Sequence, residues 1–568
     1  MRLGPLILIL VTAAAWPAEA QVADSNVAVP MRDGVTLRAT VMRPDRTGRF
    51  PVLVYRTPYG QLDAIRGYTT FAAAVERGYA VVAVDVRGRY LSAGDFDPYR
   101  QEGKDGYDTI EWAAAQAWST GDVGTFGLSY PGAVQWLAAV EHPPHLKAMA
   151  PAMTFSKPNN FWYAGGVTDL SWPAWIWLNI APDVRRRLQL SGPATYRDAS
   201  QTWEKLRLGI ANRLPITAVP EIDQVAPWFK EWYSHGPDDP WWDWAELRNK
   251  YSRVGAAVLN LSGWHDDNYG PEGAVTNQLG LLATRANEPD PRSFLILGPW
   301  VHGVAGANDR TPSAKSGERV FGAAAGIDYD GEILRFMDHY LKGTANGVGA
   351  ASRVRVFVMG ENVWRTGATW PLPGTTKVTF HLTNRALTQT PPADGSRRSV
   401  TSNPAKPIVD PYGDRAGAHD YRALAGRRDV LVYQTAPLAR DLRVVGTIVA
   451  RLTIETTAPS VDVWVKLLDV APDGTAWNVM SAGLDVIRLP AGPIGVPRTA
   501  TLEDMLTGNL FKRGHRIRVV VMNSFMPNFG RNPQTGRSET VETGTAAARF
   551  SVLTGPTTPS TLTLPVLP

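Results

Sequence analysis

The 568-residue chain contains no cysteine. Disulfides, thiolate-bound zinc or iron–sulfur centres and a cysteine nucleophile are therefore excluded. A chain of this length buries enough apolar surface to do without disulfides. It also lacks a charge bias. Its 58 Lys and Arg are scattered among 53 Asp and Glu, leaving a net charge of +5 and no basic run suited to nucleic acid. There is no internal repeat, and past the N-terminus no run of apolar residues is long enough to span a bilayer. The N-terminus stands apart: Arg2, then an apolar stretch from Leu3 to Ala15, then Ala18-Glu19-Ala20. A charged start, a short apolar middle and a small-residue cleavage site describe a secretory signal over residues 1–20. The expectation is a secreted or periplasmic protein, free of the membrane once the signal is cut.

The pattern that follows is α/β. Asn26–Pro30 and Val35–Met42 flank the turn signal Arg32-Asp33-Gly34, Pro51–Tyr55 reads as a strand, and Tyr68–Arg77 as a helix. Tyr79–Val86 is a continuous apolar strand of the kind buried in parallel sheets. Asp105–Ala117 reads as a helix. Residues 151–250 lack strong strands and hold half of the twenty tryptophans, which predicts a helical cap insertion. Strands resume at Ala256–Leu261 and Ser293–Leu297, and Ile333–Tyr340 reads as a closing helix. From Val354 onward short strands alternate with Gly and Pro turns, the mark of a β-sandwich, here a jelly roll. The expected architecture is a discontinuous α/β domain (residues 21–150 and 251–345), the cap (151–250) and a β domain (350–568).

One segment carries chemistry. Gly127-Leu128-Ser129-Tyr130-Pro131-Gly132 lies between an apolar run and a helix-like run. This is the layout of a nucleophile elbow, which holds a serine hydroxyl out on a strained strand-to-helix turn. Serine needs a base to take its proton, and histidine titrates in the right range. Of nine histidines, His302 sits in a loop directly after an apolar strand, where open α/β sheets place their functional residues. A carboxylate must orient that imidazole, and Leu261-Ser262-Gly263-Trp264-His265-Asp266-Asp267 offers one. Spacing alone leaves Asp266 and Asp267 equivalent. A metal centre of His265, Asp266, Asp267 and His302 fits poorly, because successive side chains of an extended segment point to opposite sides. The order serine, aspartate, histidine is that of α/β-hydrolases. The N–H of Tyr130 can serve an oxyanion. The Arg56-Thr57-Pro58-Tyr59-Gly60 loop lacks the glycine run that usually supplies a second donor; the Tyr59 phenol, protonated at neutral pH, could donate instead, although a lone tyrosine more often packs.

Eight segments together resemble one family: Pro30-Met31-Arg32-Asp33-Gly34-Val35; Arg56-Thr57-Pro58-Tyr59; Asp85-Val86-Arg87-Gly88 with Ser92-Ala93-Gly94; the Ser129 segment; Gly263-Trp264-His265-Asp266; Gly298-Pro299-Trp300-Val301-His302; Val358-Met359-Gly360 with Trp364; and Arg531-Asn532-Pro533-Gln534-Thr535-Gly536. The chain resembles the cocaine esterase-like hydrolases, grouped with S15-type X-Pro dipeptidyl peptidases, glutaryl-cephalosporin acylases and α-amino acid ester hydrolases. The resemblance implies an α/β-hydrolase fold with an inserted helical cap and a C-terminal jelly-roll β-sandwich. It implies Asp266 as the triad carboxylate and Tyr59, with the Tyr130 N–H, as oxyanion donors.

The expected activity is therefore that of an exported serine esterase. Ser129, Asp266 and His302 are the triad, the substrate is a small ester or amide, and no cofactor or metal is called for. A Trp-rich cap suits a hydrophobic acyl or alcohol group. We expect Trp162, Trp172, Trp175, Trp264 and Asp267 to meet the substrate, although tryptophans at such spacing also build a cap's own core. In α-amino acid ester hydrolases acidic residues stand two and three positions after the catalytic aspartate. Here those positions are Asn268 and Tyr269, which counts against α-amino selectivity. Acylase, dipeptidyl peptidase and a catalytically silent binding protein remain as alternatives, and self-association is left open.

Overall fold

The computed structural model describes residues 22–288, 290–413 and 415–568. The signal segment expected over residues 1–20 lies outside them. Ten strands form the central sheet: β1 (Val22–Pro30), β2 (Thr36–Arg43), β3 (Phe50–Thr57), β4 (Ala80–Asp85), β5 (Ser119–Leu128), β6 (Leu146–Ala152), β7 (Ala257–His265), β8 (Ser293–Val301), β9 (Val354–Val358) and β10 (Val363–Gly367). Their order is β1-β2-β4-β3-β5-β6-β7-β8-β9-β10. From β4 through β9 neighbours run parallel, while β1, β2 and β10 pair antiparallel at the edges. Strand side chains alternate between faces. Val52, Val54, Val82 and Val84 accordingly pack with Ile110 of helix α1 (Glu102–Ala114) and with Ala133 and Trp136 of α2 (Tyr130–Ala139). Leu53, Tyr55, Val81 and Ala83 face the other way, onto Phe71 and onto Ile333 and Met337 of Tyr329–Lys342. The sheet is thus an α/β layer covered on both sides.

One boundary differs from the sequence reading. Val354–Met359 was expected to open the sandwich, yet Val354–Val358 extends the central sheet parallel to β8, and Val363–Gly367 closes it as a hairpin. An apolar strand near a domain boundary satisfies either sheet, and periodicity does not choose between them.

Between β6 and β7 the chain folds into the cap. It carries helices at Ser171–Trp175, Ala181–Leu188, Tyr196–Ala211 and Phe229–Ser234, with a single π-helical turn at Ile176–Ile180. Its core is aromatic: Trp162 stacks on Trp172 at 4.5 Å and meets Trp232 at 4.6 Å between ring centroids. The C-terminal domain packs a seven-stranded against a five-stranded antiparallel sheet. A loop of that domain grips the cap. Asn528 O accepts from Leu170 N (2.7 Å), Gly530 N donates to Thr168 O (2.8 Å), and Glu539 O accepts from Ile216 N (3.0 Å). Half-buried Arg488 anchors the grip, bonding the buried carboxylates of Asp462 at 2.7 Å and Glu539 at 2.6 Å. Asn532, from the last of the eight motifs, donates to the same Asp462 at 3.1 Å.

Candidate active site

β5 ends at Leu128 and α2 begins at Tyr130, so the whole reversal falls on Ser129. It adopts φ 66° and ψ −128°, a region L-residues avoid at a cost of about 1–3 kcal/mol. The backbone is over-determined around it. Ser129 N donates to Ala152 O of β6 (3.0 Å), and Ser129 O accepts from Gly132 N and Ala133 N (2.8 Å each). Two glycines are obligatory here. A Cβ on Gly127 would lie 2.5 Å from Pro131 Cβ, and one on Gly132 would lie 2.5 Å from Ala152 O. Pro131 is harmless, because first-turn N–H groups have no helical acceptor. For the same reason Tyr130 N–H is free to serve a ligand.

Parallel pairing delivers the next two groups. Val301 of β8 pairs with His265 of β7, so Asp266 and His302 leave the sheet side by side. His302 Nδ1 donates to Asp266 Oδ1 at 2.8 Å, which leaves Nε2 as the basic face of the ring. Asp266 is 0% exposed and also accepts from Asn268 N (3.1 Å) and Tyr269 N (3.3 Å). Burial draws the His302 pKa down, but the Asp266 carboxylate, with Asp267 behind it, outweighs burial and raises it above the ordinary value. His265 turns the other way. Its ring nitrogens face Pro299 O (3.3 Å) and Asn478 O (3.4 Å), and burial pushes its pKa down to about 4.

The Tyr59 hydroxyl interacts with the Ser129 side chain and accepts from Trp175 Nε1 at 3.0 Å. Burial pushes its pKa up to about 12 against those hydrogen bonds, so it remains a neutral donor at physiological pH. Two neighbours fix its backbone. Tyr90 OH donates to Tyr59 O (2.8 Å), and Arg89 donates to Pro58 O (2.8 Å). Arg89 is 0% exposed, and its remaining donors reach Ile180 O (3.0 Å) and Asn179 O (3.2 Å) of the π-turn, with Asp183 at 3.6 Å. The cap is therefore bolted to the Tyr59 loop at both its backbone and its hydroxyl. The Tyr130 phenol points elsewhere, donating to Glu102 Oε1 at 2.7 Å, and Glu102 in turn binds Arg56.

Of the residues expected at the site, Ser129, Asp266, His302, Tyr59, Tyr130 and Trp175 are gathered at the carboxyl ends of the central strands. Three tryptophans are not. Trp264 is 0% exposed, donates to Phe357 O at 2.7 Å and belongs to the core beneath the C-terminal domain. Trp162 and Trp172 are buried in the cap core, where Trp172 donates to Phe161 O at 3.2 Å. These are corrections: an indole is large enough that packing claims most of its surface first. Asp267 lies on the wall of a 410 Å³ cavity beside the Asp266 loop, between cap helices and C-terminal loops. Asp169 shares that wall, and burial, reinforced by the Asp267 charge, pushes its pKa up to about 7 despite bonds from Ser171.

Sequence reasoning missed Arg89, Asp169 and Tyr269. Arg89 had a readable signal, a charge placed just past a fully apolar strand. Tyr269 had a weaker one, standing three residues after Asp266 where a turn folds back. Gly270 N donates to Asp266 O at 3.1 Å, and this closes the Asp266–Gly270 turn that sets the Tyr269 ring 5.9 Å from that of His302 and its hydroxyl 3.2 Å from Tyr99 OH.

Comparison with known proteins agrees with this geometry. Residues 33–304 match the model of the X-Pro dipeptidyl-peptidase (S15 family), and residues 346–563 match the X-Pro dipeptidyl-peptidase C-terminal non-catalytic domain. Cocaine esterase from Rhodococcus sp. is 32% identical over 589 residues, spanning 96% of this chain and 98% of that protein. An α-amino acid ester hydrolase structure superposes with TM-score 0.77 at 23% identity, covering 99% of this chain and 100% of its own. An aminopeptidase from a Thaumarchaeota archaeon gives TM-score 0.80 at 23% identity, covering 96% and 97%. The chain, then, is a serine hydrolase and belongs to the S15 family together with cocaine esterase.

Proposed function

We propose that this protein is an exported esterase that cleaves carboxylic esters through an acyl-enzyme on Ser129. The observation that carries the reading is the convergence at one strand-end cluster of a serine on a positive-φ turn, a 2.8 Å His302–Asp266 pair and the neutral Tyr59 phenol. His302 Nε2 takes the Ser129 proton as Oγ attacks the ester carbon. Asp266 holds the tautomer and stabilises the imidazolium. Tyr59 OH and Tyr130 N–H donate to the oxygen on which negative charge develops. His302 then protonates the departing alcohol, and water, deprotonated by the same ring, releases the acid.

The aromatic surroundings favour an apolar acyl or alcohol group: Trp175 stacks on Tyr130 at 6.2 Å and lies 6.5 Å from Phe96. Export rests on the signal-like N-terminus. The test is a substrate panel of p-nitrophenyl esters, X-Pro-p-nitroanilides and acyl β-lactams. The reading expects ester turnover to exceed both amide classes by orders of magnitude, and preferential anilide cleavage would overturn it. A second reading has one specific support. Asp169 and Asp267 share a cavity wall that would receive a substrate ammonium. Under it, α-amino acid esters would outperform their desamino analogues.

A further inference from the structure

Beneath the two oxyanion donors lies one buried carboxylate. Glu102 opens α1, and Glu102, Arg56 and Tyr130 are each 4% exposed or less. From one side Tyr130 OH donates to Glu102 Oε1 at 2.7 Å. From the other, Arg56 donates twice, through Nη2 to Glu102 Oε2 at 2.5 Å and through Nη1 to the Glu102 backbone O at 2.8 Å. The Tyr130 oxygen also accepts from Tyr99 N at 3.0 Å, and an ionised carboxylate only accepts, so the phenol proton lies in the bond to Glu102. Arg56 stands near the end of β3, three positions before Tyr59, and Tyr130 opens α2 directly after Ser129. The two helices are pressed together along the same line. A Cβ on Gly103 would lie 2.9 Å from Leu137 O, and one on Gly106 would lie 2.5 Å from Ala138 Cβ and 2.7 Å from Arg56 Nη1.

The elbow fixes a different quantity from the one this tie fixes. Ser129 O and Tyr130 N–H share one peptide plane, and the bonds from Gly132 N and Ala133 N to Ser129 O set its direction. Tyr59 is held from the cap side, by Trp175 at its hydroxyl and Tyr90 at its backbone. Neither set of bonds fixes the distance between the two donors, whose rings meet only edge-on at 6.4 Å between centroids. An oxyanion needs both donors within about 2.7–3.1 Å of one oxygen. Ring packing is too non-directional to hold that tolerance, and a polar tie from Arg56 through Glu102 to Tyr130 supplies it.

We propose that Glu102 is a positioning residue of the oxyanion hole: by binding Arg56 and Tyr130 at once, it sets the spacing of the Tyr59 hydroxyl and the Tyr130 N–H. The inference rests on the esterase reading above. Its cost should fall on the transition state and spare substrate binding, because a ground-state ester carbonyl asks little of the donors.

The experiment measures hydrolysis of p-nitrophenyl butyrate and inhibition by an alkyl trifluoromethyl ketone. Ser129 Oγ adds to the ketone carbon, its proton passes to His302, and the carbonyl electron pair becomes an oxyanion in the same place. Two variants cut the tie in different ways. Tyr130→Phe keeps the backbone N–H and the Arg56–Glu102 pair. Arg56→Met combined with Glu102→Met removes both charges together, leaving neither buried alone, and keeps the phenol with its bond from Tyr99. Their one common loss is the Tyr130–Glu102 bond. Each should lower kcat about tenfold with KM held within about twofold, short of the roughly 10² that a full 1 Å misplacement costs. The ketone Ki should rise by the same factor. Added to Tyr59→Phe, Tyr130→Phe should cost less than about twofold more, since one remaining donor has no spacing to set. Should the paired replacement not fold, Tyr130→Phe and its cycle with Tyr59→Phe decide. Wild-type kcat in Tyr130→Phe, a kcat loss that the ketone Ki does not follow, or an undiminished loss on top of Tyr59→Phe would overturn the inference. Failure of the underlying reading would look different, as turnover that survives Ser129→Ala.

Discussion

Removing one oxygen, by Tyr59→Phe, separates transition-state stabilisation from substrate packing. The ring stays, so the contact with Tyr130 (6.4 Å between centroids) is kept. Two hydrogen bonds go. The first is the donor to the developing oxyanion, and deletion of one such donor costs about 10²–10³ in rate, about 2.7–4 kcal/mol. The second is the acceptor for Trp175 Nε1, a part-buried indole left without a partner at about 1–3 kcal/mol of stability. Because the ester carbonyl needs the donor only as charge develops, kcat should fall while KM stays within a few-fold. Trp175→Phe keeps the phenol but loosens it, and should lower kcat by about three- to tenfold. In the double variant kcat should be no lower than in Tyr59→Phe alone, since Trp175 acts through the phenol. The assay is steady-state p-nitrophenyl butyrate hydrolysis across the cycle. The reasoning is refuted if Tyr59→Phe keeps more than about a third of wild-type kcat, or if the Trp175 effect persists undiminished without the phenol.

Other consequences can be checked alongside. The base must be neutral, and Asp266 raises the His302 pKa, so kcat/KM should decline with falling pH along a limb centred above the ordinary histidine value of about 6.5. Asp266→Asn should move that limb to lower pH and cut kcat by about 10⁴. Gly132→Ala drives a methyl onto the β6 carbonyl of Ala152, and thermal unfolding should show a loss of about 1–3 kcal/mol or failure to fold. Arg89→Lys offers a point charge where a planar fork serves three carbonyls, so kcat should fall about tenfold while Ser129 stays reactive toward a fluorophosphonate.

Much of this was legible because it is local. The glycines around Ser129, the continuous apolar strand Ala80–Asp85 and the loops ending in Asp266 and His302 each follow from steric or burial rules that act within a few residues. What could not be read is what depends on the third dimension. Nothing in the spacing of Trp162, Trp172, Trp175 and Trp264 says that only Trp175 reaches the Tyr59 hydroxyl while Trp264 closes a domain interface. Arg89 and Asp183 are 94 positions apart, from 183 − 89, and their meeting is set by how the cap folds back. Tyr269 illustrates the limit best. Its position after Asp266 reads as a missing acid, and only the turn itself shows that its N–H donates to Asp266 at 3.3 Å and its ring stands 5.9 Å from that of His302.

Intact-mass analysis after fluorophosphonate treatment tests the central claim most directly. The account expects one adduct per chain, mapping to the peptide that contains Ser129, absent in Ser129→Ala and slowed at least a hundredfold in His302→Ala. An unmodified wild-type chain, or equal modification of Ser129→Ala, would contradict it.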